Sequence, residues 1–148
     1  MSSNFKYRAG LSSVGAYQVS GVPYMSGSSA VIPGTNSTAW QVSFPYITQW
    51  VIIENMGSND LRVGFSNFGT RGLTATTPVQ SYFVLAGTSD DESVLSRVRL
   101  DVRVKDIHLS CDHATNTTTA QITAGLTLVP TEELTGTNSN WTGSSGIG

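Results

Sequence analysis

The residues best able to do chemistry lie in one short run, His108-Leu109-Ser110-Cys111-Asp112-His113. Imidazole, thiolate and carboxylate are all proper metal ligands. A strand through this run sends His108 and Cys111 to opposite faces, because side chains alternate along an extended chain. It also leaves His113 in a loop. One such cluster makes at most a partial site, so neither a metal nor another cofactor is expected. The favoured reading takes Cys111 as a small core residue and the histidines as polar groups of a loop or edge.

Covalent hydrolysis needs a nucleophile, a base and a group that orients the base. Serine is abundant, but His108 and His113 are the only histidines, and no G-x-S-x-G is present to form a nucleophile elbow. Cys111 and His113 stand too close in sequence for the usual Cys–His geometry. Asp90-Asp91-Glu92 and Glu132-Glu133 are adjacent carboxylates, which rarely face a common substrate as a glycosidase requires. A solvated loop outweighs a Ca²⁺ site there. No phosphate-binding or dinucleotide fingerprint occurs, and an enzyme is not expected. Asn36, Asn116 and Asn140 open N-x-S/T sequons, which a chain rich in Ser and Thr produces by chance.

Four of the eight Lys and Arg residues, Arg97, Arg99, Arg103 and Lys105, share one face of the alternating stretch from Arg97 to Lys105, with Asp101 among them. A solvated sheet face is the favoured reading, an acidic protein partner the next, and nucleic acid the last. A net charge of -2 argues against wholesale binding to nucleic acid.

Elsewhere charge is scarce. Of 148 residues only 12% are charged, about half the ~25% of an average soluble domain. The space goes to 20 Ser, 18 Thr and 15 Gly, and 39% of the chain is apolar. That suffices for one domain with its own core. No apolar run approaches the ~20 residues that span a bilayer. Met1–Arg8 has no apolar segment of the kind that marks a secretory signal. The single cysteine excludes an internal disulfide framework.

The elements that must position these residues read as strands: short β-branched and aromatic runs bounded by Gly, Pro, Asn, Asp or Ser. They fall near Ala16–Ser20, Ser29–Ile32, Ala39–Phe44, Trp50–Glu54, Leu61–Phe65, Ser81–Leu85, Arg97–Leu109 and Thr118–Val129. Ser66–Gln80 reads as a long loop, and loops of that length are usually functional or mobile. In Arg97–Lys105, Val98, Leu100, Val102 and Val104 point one way, but Ile107, Leu109 and Cys111 are apolar in the opposite phase. A bulge or bend near Lys105-Asp106 restores the face. The expected fold is all-β: a single β-sandwich of about eight strands over residues 15–130, with jelly-roll topology and negligible helix. Residues 1–14 and 131–148 are expected to be extended N- and C-terminal arms, because their composition buries too little surface to order itself. Any order in the tail would come from outside this core.

Three stretches carry a resemblance. They are Gly15-Ala16-Tyr17-Gln18-Val19-Ser20-Gly21-Val22-Pro23-Tyr24, then Val42-Ser43-Phe44-Pro45-Tyr46-Ile47-Thr48 continuing through Val51–Asn55 and Leu61–Ser66, and finally Asn140-Trp141-Thr142-Gly143-Ser144-Ser145-Gly146. Together they resemble small β-rich virion structural proteins of marine bacteriophages and of large viruses of algae and protists. The resemblance implies a capsid-associated protein of penton, minor capsid or cement type and brings no catalytic residues. The expected function is that of a non-enzymatic virion component, located in the capsid, homo-oligomeric and in contact with other capsid proteins, with no membrane span. Phe5, Tyr7 and Trp141 would anchor the arms on neighbours, and Arg97, Arg99, Arg103 and Lys105 would meet a partner. The alternative is a lectin-like or receptor-binding β-sandwich whose ligand loop carries Phe68 and Arg71.

Overall fold

The computed structural model describes residues 9–27, 31–72, 80–88, 95–135 and 140–141. It contains eight strands: β1 (Val22–Gly27), β2 (Trp40–Ser43), β3 (Thr48–Asn55), β4 (Leu61–Gly64), β5 (Tyr82–Leu85), β6 (Arg97–Leu100), β7 (Asp106–Cys111) and β8 (Ala120–Leu126). They form two four-stranded antiparallel sheets, ordered β1-β8-β3-β6 and β2-β7-β4-β5. The fold is therefore all-β.

Alternation decides what each sheet buries. In β3, Val51 and Ile53 turn inward, where they pair with Ala124 and Ile122 of β8. Ile107 and Leu109 of β7, Leu61 and Val63 of β4, and Leu85 of β5 face them from the second sheet, in one core closed by Ile32, Val42 and Phe44. Tyr24 meets Phe44 edge-on at a centroid distance of 5.1 Å.

Several boundaries differ from the sequence expectation. Ala16–Ser20 is not a strand: α1 (Val14–Gln18) is a single helical turn, closed by Ala16 N–H to Ser13 O and Val19 N–H to Gly15 O. A turn satisfies its backbone locally, whereas a strand would need a neighbour. The strand lies just beyond, in β1, whose Pro23 and Gly27 read as punctuation. β1 ends its sheet, and an edge strand tolerates a missing N–H. Of the expected strand Ser29–Ile32, Ile32 makes only an isolated bridge to Thr118, and residues 28–30 lie outside the described residues.

Arg97–Leu109 is two strands, not one. β6 pairs with β3 in the first sheet and β7 with β2 and β4 in the second. Pairing breaks across residues 101–105, as the phase change requires, but the break is a crossing between sheets rather than a local bulge. Thr48 holds the crossing in place. Its hydroxyl donates to Val102 O (2.6 Å) and accepts from Val104 N–H (3.1 Å).

The supposed long loop opens with α2 (Asn67–Arg71). Ser66 Oγ caps it by accepting from Gly69 N–H (3.1 Å), and Gly72 ends it at φ 72°, a left-handed conformation in which glycine is favoured. Residues 73–79 lie outside the described residues.

Of the expected arms, residues 1–8, 136–139 and 142–148 lie outside the described residues, and the rest packs on the sandwich. A second cluster, Ile47, Val129 and Leu134, gathers Ala9, Leu11 and Ala16 from the N-terminal side and Trp141 from the C-terminal side. The described parts of both flanks thus lie on the sandwich's own surface. Asn140 is fully buried. Its Oδ1 accepts from Lys105 N–H (2.7 Å) and Asp106 N–H (2.8 Å), and its Nδ2 donates to Phe65 O (3.1 Å) and Asp106 O (2.8 Å). Composition alone missed this, because one amide that completes four backbone bonds orders a polar segment without an apolar core.

Candidate functional site

A groove of about 900 Å³ lies between the α1 segment and the outer face of the first sheet. Its floor follows from alternation: Val51 and Ile53 face the core, so Trp50 faces out. Gly125, paired with Trp50 on β8, lets the indole lie on the backbone, and a methyl at that position would overlap the ring. Arg99 of neighbouring β6 sits over the other side of Trp50, 5.0 Å from its centroid.

One wall is the α1 segment, held by polar clamps. Gln49 Nε2 donates to Tyr17 O and, at 2.9 Å, to Val19 O. Arg103 Nη1 donates to Leu11 O at 2.8 Å, and its guanidinium lies 5.5 Å from the Tyr17 ring centroid. Both arginines are thus oriented on aromatic rings. Arg99 also reaches Asp101 Oδ1 through Nε (3.3 Å) and Nη2 (3.1 Å), with both side chains largely exposed.

The basic stripe therefore holds in part. Arg97, Arg99 and Arg103 are exposed, as alternation requires. Lys105 is half-buried, and its Nζ donates to Leu134 O (3.2 Å), because the chain is already crossing to the other sheet. Lys105 belongs to the fold's own closure. Trp141 is likewise partly buried, packed against the second cluster of this chain. Phe5 and Tyr7 lie outside the described residues.

Of the alternative ligand loop, Phe68 stands on α2 and is 55% exposed. Arg71 donates from Nε to Thr35 O (2.9 Å), tying α2 to the turn after β1. Neither lines the groove. Tyr17, Gln49 and Trp50 do, and the residue-by-residue reading passed over them. The available signal was Trp50, an aromatic on the outward phase of a strand whose inward phase is Val51 and Ile53.

The run from His108 to His113 does not assemble, and among the described residues no three metal-ligating side chains cluster. Cys111 is fully buried. Burial raises its thiol pKa, helped by Asp112 and Asp60, and this disfavours the thiolate that attack or metal binding needs. His108 points away from the core, yet it too is buried, because α2 and Asn140 cover that face of β7. Neither ring nitrogen has a hydrogen-bond partner among the described residues. Desolvation lowers its pKa, with Asp106 pulling the other way. His113 is exposed, and its Nδ1 accepts from Thr115 and Asn116 N–H, each at 3.3 Å. Of the sequons, Asn36 and Asn116 are exposed, whereas a glycan on Asn140 would displace its buried bonds.

Among the described residues no helix is long and apolar enough to cross a membrane. No family model, curated protein or solved structure matches this chain.

Proposed function

We propose that this chain is a non-enzymatic structural protein of a virion, a jelly-roll capsid component of penton, minor capsid or cement type that binds neighbouring subunits. The observation that carries the reading is the pairing scheme. The first strand pairs with the eighth, the second with the seventh, the third with the sixth and the fourth with the fifth. A single long ribbon rolled into two sheets pairs in this way, and the jelly roll of that description recurs in capsid proteins. The resemblance of residues 15–24, 42–66 and 140–146 to small virion proteins points the same way.

Surface chemistry supports it. With 12% charged residues, faces can be covered at low desolvation cost. Val14, Val19, Val22 and Leu128 are exposed and line one concavity beside α1, the start of β1 and the end of β8, and exposed apolar surface of this kind marks a contact. The role of arms is narrowed, since Leu134, Asn140 and Trp141 are engaged with their own sandwich.

The test is the copy number of the chain in purified particles, read together with its mass in solution. A fixed stoichiometric copy number and a closed oligomer support a capsid role. A chain absent from particles and monomeric at every concentration overturns it.

A further inference from the structure

We propose that the groove between the α1 segment and the first sheet binds a carboxylate-bearing saccharide. The inference is independent of the virion reading, because it rests on the groove alone.

Its charge selects an anion. The described lining holds two guanidiniums, Arg99 and Arg103, against one carboxylate, Asp101, in a chain whose net charge is -2. The guanidiniums lie 5.0 and 5.5 Å from the centroids of Trp50 and Tyr17, so cation–π attraction already holds them at the groove before a carboxylate binds. The fork of Arg99 is occupied by Asp101, but that pair is exposed on both sides, and exposed pairs are weak. Asp101 therefore holds the place that a ligand carboxylate takes, swinging into solvent as the ligand enters.

The remaining lining selects a sugar over a peptide. Gln18, Ser12 and Ser20 supply a side-chain amide and hydroxyls suited to a ring of hydroxyl groups. Trp50 and Tyr17 in the same lining give apolar surface for a sugar's C–H groups. A peptide would also need backbone partners. The Leu11, Tyr17 and Val19 carbonyls that border the groove already accept from Arg103 and Gln49.

The experiment measures binding of the full chain to a panel of uronate and sialylated oligosaccharides, their neutral methyl esters, and a tetraglutamate peptide. Saturable binding of at least one carboxylated sugar is expected, weakened about tenfold or more by esterification and by added salt. Arg99→Ala should weaken it about tenfold. Asp101→Asn should tighten it severalfold, which a structural role for the pair would not produce. Both side chains are exposed, and an unchanged melting temperature verifies that each variant is folded. Absence of binding to every carboxylated sugar, equal binding of the esters, or tighter binding of tetraglutamate overturns the proposal.

Discussion

At the scale of single residues, three side chains have energetic roles that their types do not announce. His108 is 1% exposed and its ring has no hydrogen-bond partner among the described residues. Its pKa is lowered, so the folded chain takes up a proton less readily than the unfolded one. The stabilisation it allows is complete above the ordinary imidazole value of about 6.5 and is lost as pH falls below it. The slope is at most about 1.4 kcal/mol per pH unit and ends when the folded form itself protonates. Urea unfolding on either side of that value should show the loss, and His108→Leu should remove it; an unchanged slope in the variant would assign it to other groups. Asn140→Ala should cost about 3 kcal/mol, since it strands two backbone N–H groups and their partner carbonyls in a buried site. Calorimetry reads this directly, and a change near zero would mean that water replaces the amide. Gly125→Ala pushes a methyl into Trp50, with an expected loss of about 1–3 kcal/mol and a shift in tryptophan fluorescence. None of these roles was legible beforehand. Burial of His108 and Asn140 is conferred by segments distant in sequence, and Gly125 has meaning only beside Trp50.

At the scale of elements, alternation is a dependable guide where one face is buried and the other open. β3 follows it from Trp50 to Asn55 and β8 from Ala120 to Ala124. β7 obeys the alternation, with Ile107 and Leu109 inward, yet all six of its residues are buried, so polar no longer means exposed. The phase change between Val104 and Ile107 does signal a break. Whether the chain bulges within a sheet or crosses to another depends on which strands lie beside it, and these are β2 and β4. Short elements were the least legible: α1 and α2 span five residues each, less than two helical turns, so periodicity could not develop. The cap of α2 is the local signal. Ser66→Ala should cost about 1 kcal/mol and increase hydrogen exchange at the Gly69 amide, whose acceptor is removed. Full protection at Gly69 in the variant would place the stabilisation in packing against β4 and β7 instead.

At the scale of the whole molecule, the rolled ribbon brings the flanks of the chain together. Residues near both ends of the described chain meet over Ile47 and Val129, far apart in sequence but adjacent in the sandwich. The flanks there are secured by clamps from Gln49, Arg103, Lys105 and Asn140. If the outward face of β1 is covered by a second copy, Met25→Lys should reduce the oligomer mass in sedimentation velocity while leaving the melting temperature unchanged. Met25 is 69% exposed, so it contributes little to the monomer's own stability. An unaltered mass would exclude the β1 edge from the contact.

The sequence by itself determined the class of structure and most of the core. Strand periodicity and turn residues are local, and the requirement to bury one face converts them into two packed sheets. It also determined the scarcity of charge and its concentration on one stretch, which are properties of composition and order alone. Only the tertiary structure decided which polar groups are solvated, how Lys105 and Trp141 are spent, and that Arg99 and Arg103 lie on Trp50 and Tyr17 across a groove. Those outcomes depend on contacts between residues tens of positions apart, and such contacts exist only once the ribbon has rolled up.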